Sequence, residues 1–118
     1  MGASFKDLVV WQRAVELSVA IYKLTSSFPR TEQFGLTNQL RRASVSVASN
    51  IAEGYGRSTK GEYLLFLGHA RGSIFEVQTQ LLIASTLNFG NKELSPQVEN
   101  LSQEVSRMLV AIMDKLRK

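Results

Sequence analysis

FGLTNQLRRASVSVASNIAEGYGR, residues 34–57, is the stretch that decides the fold of this chain. Its centre, Ser44 to Val47, alternates polar and apolar residues as a half-buried strand does. Over the whole stretch the apolar residues instead recur at steps of three and four, which places them on one helical face: Leu36, Leu40, Ala43, Val47 and Ile51. The longer pattern outweighs the shorter one, so we predict a helix, and Gly54 and Gly56 are expected to supply the backbone freedom that ends it.

Two further helices flank this one. The first is predicted from about Asp7 to Ser27, and Phe28-Pro29 ends it because a residue before proline is pushed out of the helical region. The third is predicted from about Lys60 to Leu87. It opens with a capping box in which Thr59 is the N-cap and Glu62 reaches back to it.

A fourth helix is expected to open at Ser95-Pro96, with serine as N-cap and proline as the first helical residue. Gly90, in the preceding loop, is suited to cap the end of the third helix. Four helices of about 20 residues with short connections predict an all-α protein, an antiparallel up-and-down four-helix bundle. At this length, residues 1–118 are expected to form a single domain.

The first three helices carry more apolar surface than one bundle core can bury. A second stripe of apolar or small residues runs along each of them, and within it Gly68 and Gly72 each cost about 1 kcal/mol relative to alanine. We expect these glycines to let another backbone come close. The pattern predicts a homo-oligomer whose interface includes Trp11, Val15, Tyr22, Val45, Leu64, Gly68, Gly72, Phe75 and Leu82.

Composition argues against several function classes. The chain has no cysteine and one histidine, His69, so no metal site is expected. Nothing at its start resembles a signal peptide, and no apolar segment reaches the roughly 20 residues that span a bilayer. We therefore expect a cytoplasmic protein with no membrane association.

Candidate catalytic groups also lack partners. Ser44, Ser46 and Ser49 have no nearby general base, and Glu53 and Glu76 lack the E-x-x-H partners of metal sites in helical bundles. The turn GYGRSTKGE does not follow the order of a phosphate-binding loop, and no strand precedes it. We expect no enzymatic activity and no cofactor.

Basic residues are the remaining functional signal. The formal charge is +4 and the pI is near 9.7. The basic cluster around the second and third helices comprises Arg41, Arg42, Arg57, Lys60 and Arg71. It predicts either a solvated face with internal ion pairs or a nucleic-acid-binding surface.

Within that cluster, Arg57 and Lys60 are the residues expected to reach phosphate. Arg42 is a candidate for an ion pair with Glu76, because an antiparallel hairpin turning near Arg57 pairs residues whose numbers sum to about 117. Among nearby aromatic residues, Tyr55 and then Tyr63 could stack on bases.

A series of short motifs resembles a known family. It comprises Leu8-Val-Val-Trp11-Gln12, Phe34-Gly35-Leu36, Gln39-Leu40-Arg41-Arg42-Ala43, Asn50-Ile51-Ala52-Glu53-Gly54, Tyr63-x-x-Phe66-Leu67 and Gly72-Ser73-x-x-Glu76. The motifs resemble the bacterial four-helix-bundle proteins encoded in intervening sequences of the large-subunit ribosomal RNA gene, over about Phe5 to Leu87. That family includes the accessory variability proteins of diversity-generating retroelements, which form a basic pentameric barrel and bind a reverse transcriptase and nucleic acid.

The resemblance implies an all-helical, pentameric protein linked to RNA or another nucleic acid, with no catalytic residues to carry over. The leading hypothesis is thus a non-enzymatic oligomeric bundle that presents a basic surface to RNA or DNA. The alternative is a protein-interaction adaptor, for example an accessory subunit that binds a reverse transcriptase or another nucleic-acid enzyme.

Overall fold

Most of residues 34–57, from Leu36 to Tyr55, is helical, as the longer of the two patterns predicts. The computed structural model describes residues 4–118 and contains four helices in that range: α1 (Val9–Thr25), α2 (Leu36–Tyr55), α3 (Lys60–Thr86) and α4 (Leu94–Arg117). Short 3₁₀ turns at Phe5–Asp7 and Arg30–Glu32 precede α1 and α2. Residues 4–118 contain no strand.

The helices form an antiparallel four-helix bundle, which confirms the predicted fold class. Each helix packs against two others, in the order α1, α2, α3, α4 and back to α1, and α2 and α3 share the largest contact. The bundle measures 44 × 23 × 21 Å. None of the helices in residues 4–118 combines the length and hydrophobicity that a membrane span requires.

The predicted apolar face of α2 lies in the core. Leu40, Val47 and Ile51 are fully buried, Ala43 is nearly so, and Leu36 at the helix start is partly buried. The other helices bury their i, i+3, i+4 faces in the same way, which is why the period alone identifies them. The fully buried large side chains of these helices include Leu17, Ile21, Leu67, Ile74, Val98 and Leu109.

The end of α3 differs from its prediction. Asn88, with φ of 62°, takes the left-handed position, its N–H donates to the carbonyl of Ser85, and the N–H of Phe89 donates to the carbonyl of Ala84. This is a Schellman motif, and asparagine occupies the site expected of glycine. Gly90 also has positive φ, but it follows the cap instead of forming it. Glycine is needed there because a Cβ would lie 2.8 Å from a side-chain carbon of Leu24.

The start of α4 also differs. The helix begins at Leu94, one residue before the predicted N-cap Ser95, and Pro96 lies inside the first turn. The N-cap position is Glu93, whose side chain makes no capping bond. Asn91 supplies the side-chain acceptor in place of the serine, because its Oδ1 accepts from the backbone N–H groups of Glu93 (2.7 Å) and Leu94 (3.3 Å). An asparagine before the helix was a better local acceptor than the serine within it.

Candidate nucleic-acid interface

The turn between α2 and α3 is held by one side-chain cap. Thr59 Oγ1 accepts from the N–H of Glu62 at 3.1 Å, as the predicted capping box requires. The return contact differs, because the Glu62 carboxylate accepts from the Thr59 hydroxyl at 3.1 Å rather than from its backbone N–H. The cap sets the direction in which α3 leaves the turn.

Gly54 brings the first turn of α3 against the last turn of α2. A Cβ on Gly54 would lie 2.8 Å from the Cβ of Phe66 and 3.0 Å from Cδ1 of Tyr63. α2 ends at Tyr55 with Gly56 as its C-cap, where the glycines predicted an end, but Gly56 has ordinary right-handed φ of −81°, so the predicted use of glycine's backbone freedom was wrong. Gly54 is needed for the space that its missing side chain leaves.

Four aromatic side chains gather where Gly54 leaves this space. We call them the aromatic corner: Tyr55, Tyr63, Phe66 and His69. The Tyr55 and Tyr63 rings meet edge to face with centroids 6.0 Å apart, and Phe66 and His69 do the same at 5.9 Å. The three large rings are partly buried and His69 is exposed, so each presents part of its surface to solvent.

Of the two basic residues expected to reach phosphate, Arg57 contacts the aromatic corner, and Lys60 opens α3 one helical turn before Tyr63. The Arg57 guanidinium lies 4.5 Å from the centroid of the Phe66 ring. Its ion pair with Glu53 is long, at 4.0 Å, and both side chains are about half exposed, so water screens it. Lys60 is exposed and has no hydrogen-bond or ion-pair partner among residues 4–118.

The Tyr63 phenol stays neutral at physiological pH. Burial raises its pKa above the ordinary value, and the neighbouring Tyr55 adds to the shift. A neutral ring beside Arg57 and Lys60 adds no negative charge to repel phosphate.

Arg41 lies on a different face and is engaged within the chain. Its Nε donates to Thr25 Oγ1 at 2.9 Å, and its guanidinium stacks 4.6 Å from the Tyr22 ring centroid. Because Thr25 and Tyr22 belong to the last turn of α1, Arg41 ties α2 to α1. These contacts favour the internal-pairing alternative for this residue.

Arg42 points toward the opposite neighbour, α3. It lines a groove of about 340 Å³ between α2 and α3, and Glu76 lines the same groove. The two are not within ion-pair distance, so the predicted pair was wrong. The register itself is close to the predicted one: Gln80 Nε2 donates to Gln39 Oε1 and Ser73 Oγ to Ser46 Oγ, pairs whose numbers sum to 119. Arg42 and Glu76 therefore lie at similar heights along the two helices, and their side chains line one groove without reaching ion-pair distance.

Arg71 lies farther along α3. Its guanidinium is 5.7 Å from the centroid of the Phe75 ring, and it precedes Gln78, which lines the groove between α3 and α4, by two helical turns. Arg57 and Lys60 share the α2–α3 turn, whereas Arg71 lies about three helical turns beyond Lys60. The five basic residues therefore do not form one cluster.

The residues predicted for an oligomer interface fall on two surfaces. Trp11, Val15 and Val45 line an uncharged groove of about 320 Å³ between α1 and α2, and Tyr22, 46% exposed, lies two helical turns after Val15 on α1. Phe75 and Leu82, 48% and 66% exposed, lie on α3. Leu64 is partly buried against the core.

Gly68 and Gly72 have no close neighbour within the described chain. A Cβ on either would meet no atom within 4 Å in the part of the chain that the structure describes. Within one subunit, the predicted close approach occurs at Gly54 instead.

Sequence reasoning missed Phe66 and His69. Phe66 follows Tyr63 by three residues, a spacing that puts both on one side of α3, but only its contact with Gly54 and Arg57 places it at the turn. Among residues 4–118, no group of three or more His, Asp or Glu side chains is arranged to hold a metal ion.

Comparisons with known proteins point to one family. The sequence pattern of the family described as 23S rRNA-intervening sequence protein matches residues 6–111. A crystal structure of a protein of unknown function from the S23 ribosomal protein family of Bacteroides thetaiotaomicron is similar, with a TM-score of 0.79 and 22% identity over 89% of this chain and 98% of that chain. Among curated proteins, none matches the sequence.

Proposed function

Since the chain belongs to the 23S rRNA-intervening sequence protein family, we propose that it is a non-enzymatic oligomeric bundle that presents a basic surface to RNA. The observation that carries this proposal is the α2–α3 turn, where Arg57 and Lys60 are both exposed and neither is held by a short ion pair. Cations that are free of strong internal partners can neutralise phosphates and release the counterions bound to them.

The charge around this turn is uneven. Residues 41–71 hold five basic and two acidic side chains, a local charge of +3. Arg41 is bonded to α1, so the proposal relies chiefly on Arg57 and Lys60, with Arg42 as a further exposed cation in the α2–α3 groove. A ring of subunits would repeat this imbalance around its circumference and strengthen the field that attracts a polyanion.

Oligomerisation is supported by apolar surface that the single chain leaves open. The α1–α2 groove is lined by uncharged residues, and α3 carries no charged residue from Val77 to its end at Thr86. Leu82, in that segment, is 66% exposed. Five subunits is the number that the family resemblance suggests.

The proposal is tested by titrating the protein against structured RNA and duplex DNA at several salt concentrations. We expect wild type to bind with an affinity that falls steeply as salt rises. The Arg57→Ala/Lys60→Ala variant should bind more weakly. Its plot of log affinity against log salt concentration should be shallower by the contribution of up to about two phosphate contacts, because two counterion-releasing contacts are lost.

An Arg30→Ala/Lys92→Ala variant is the matched control, because it removes two exposed charges from loops at the opposite end of the bundle. It should retain more affinity than the Arg57→Ala/Lys60→Ala variant. If wild type binds no nucleic acid even at low salt, the basic-surface proposal fails and the adaptor alternative, which rests on resemblance to the accessory variability proteins, becomes the better one.

A further inference from the structure

We propose that the aromatic corner binds unpaired RNA bases by stacking, so that the protein prefers single-stranded RNA to a duplex. The inference rests on the proposed function and specifies its ligand. Phosphate contacts alone would make the surface indifferent to strandedness, whereas an aromatic platform accepts only bases that have left a helix.

The first step of the argument is that the rings are positioned by the backbone. Because Gly54 has no side chain, Phe66 and Tyr63 lie directly against the last turn of α2. Tyr63 in turn meets Tyr55 edge to face at 6.0 Å. The platform therefore joins the end of one helix to the start of the next, and it needs no rearrangement to present its rings.

The second step is that Tyr55 and Phe66 do not pack into the hydrophobic core. The hydrophobic core and the side chains packed against it include Tyr63 but neither Tyr55 nor Phe66. Both residues are partly buried and partly open to solvent. An aromatic residue outside the core has surface left with which to stack on a base.

The third step is the position of the cation. The Arg57 guanidinium stacks 4.5 Å from the Phe66 ring centroid, and Lys60 is exposed in the first turn of α3. A planar guanidinium held on a ring can stack with its open face and donate to phosphate from its edge. Base stacking and backbone neutralisation would thus act at one place, which is the combination that single-strand binders use.

The duplex is the ligand that this arrangement disfavours. In an RNA duplex the bases are stacked on each other, and its wide minor groove presents hydroxyls and base edges rather than open faces. The aromatic corner would gain nothing from such a ligand beyond the phosphate contacts of Arg57 and Lys60.

The test compares two probes on the full-length protein by fluorescence anisotropy: an unstructured single-stranded RNA and a duplex RNA of the same length. We expect wild type to bind the single strand more tightly. Phe66→Leu and Tyr55→Leu keep an apolar side chain but remove the aromatic face, so each should weaken single-strand binding roughly tenfold and leave duplex binding unchanged.

Two further variants separate stacking from structure. Tyr55→Phe keeps the ring and should bind as wild type does. Phe34→Leu removes an aromatic ring that is 88% exposed just before α2, at the opposite end of that helix from Tyr55, and should also have no effect. A fluorescent adenine analogue in the single strand should be quenched by wild type and not by Phe66→Leu.

The outcomes distinguish base stacking from the proposed RNA-binding function on which it rests. Equal binding of both probes by wild type, or leucine variants that keep the single-strand preference, would overturn base stacking while leaving a phosphate-binding surface. Absence of binding to either RNA would overturn both, and binding of a protein partner that requires Phe66 would then explain the aromatic corner.

Discussion

Single residues decide where the surface features of this bundle lie, and Gly54 is the clearest case. The position is helical and buried, where alanine would be the better helix former. Glycine is needed because α3 crosses so close that a Cβ would lie 2.8 Å from Phe66 and 3.3 Å from the carbonyl oxygen of Tyr63. The close crossing in turn sets the aromatic corner beside Arg57.

We predict that Gly54→Ala destabilises the protein. The added methyl must displace Phe66 and part of the α3 backbone, at a cost of about 1–3 kcal/mol, which exceeds the gain in helix propensity. Gly61→Ala is the control, because a Cβ there meets nothing within 4 Å in the described chain, and it should be neutral or stabilising by up to about 1 kcal/mol. Chemical denaturation of both variants measures the difference, and a Gly54→Ala protein as stable as Gly61→Ala would contradict the close contact.

Among the helices, the end of α3 and the start of α4 are set by short polar residues of the loop between them, which compete for the capping roles. Asn88 ends α3 in the left-handed conformation, although a glycine stands two residues later. Asn91 caps α4 from outside the helix, although the Ser95-Pro96 pair has the composition of a start signal. Short polar side chains in the seven-residue connection, residues 87–93, offer several good caps, and the path of the loop selects among them.

Asn91→Ala should therefore cost about 1 kcal/mol of stability, as the loss of a helix cap does. Ser95→Ala removes only an exposed hydrogen bond from its hydroxyl to the Asn91 carbonyl, and its effect should stay within about 0.5 kcal/mol. Thermal or urea unfolding distinguishes the two. A larger loss in Ser95→Ala than in Asn91→Ala would restore serine as the functional cap.

The whole molecule leaves apolar residues on its outside that one bundle does not need. Eleven large hydrophobic side chains in residues 4–118 are exposed, four of them on α3. The open α1–α2 groove lies on a different side of the bundle from α4 and its groove with α3. Two unlike surfaces on one subunit suit head-to-tail contacts, which close into rings when the rotation between subunits allows it.

Gel filtration coupled to light scattering should give a mass that is a multiple of 13.1 kDa. Leu82→Arg, which places a charge in the proposed interface, should lower that mass. Leu65→Arg, on the same helix and 58% exposed, lies outside the predicted interface set and should not. A monomer at micromolar concentration in wild type would contradict oligomerisation and would leave the basic turn as an isolated patch.

The four helices and their buried faces follow from the sequence alone, because apolar residues at steps of three and four are a local property of a helix that buries one face. The sequence also places Arg57 and Lys60 at the α2–α3 turn, since chain neighbours stay close. How surface side chains meet was set by the packing of the helices. Arg41 and Arg42 are adjacent in the chain yet face α1 and α3, and the first is bonded while the second is open.

The same is true of Phe66, which reaches Arg57 and Gly54 only because two helices cross at one register. Arg42 and Glu76 line the same groove and lie within one residue of the observed α2–α3 register, yet they form no ion pair. Helix periodicity brings the apolar faces together without fixing such a pair. The contact of a specific pair of side chains depends on distances of a few ångströms, which the packing of the whole bundle sets.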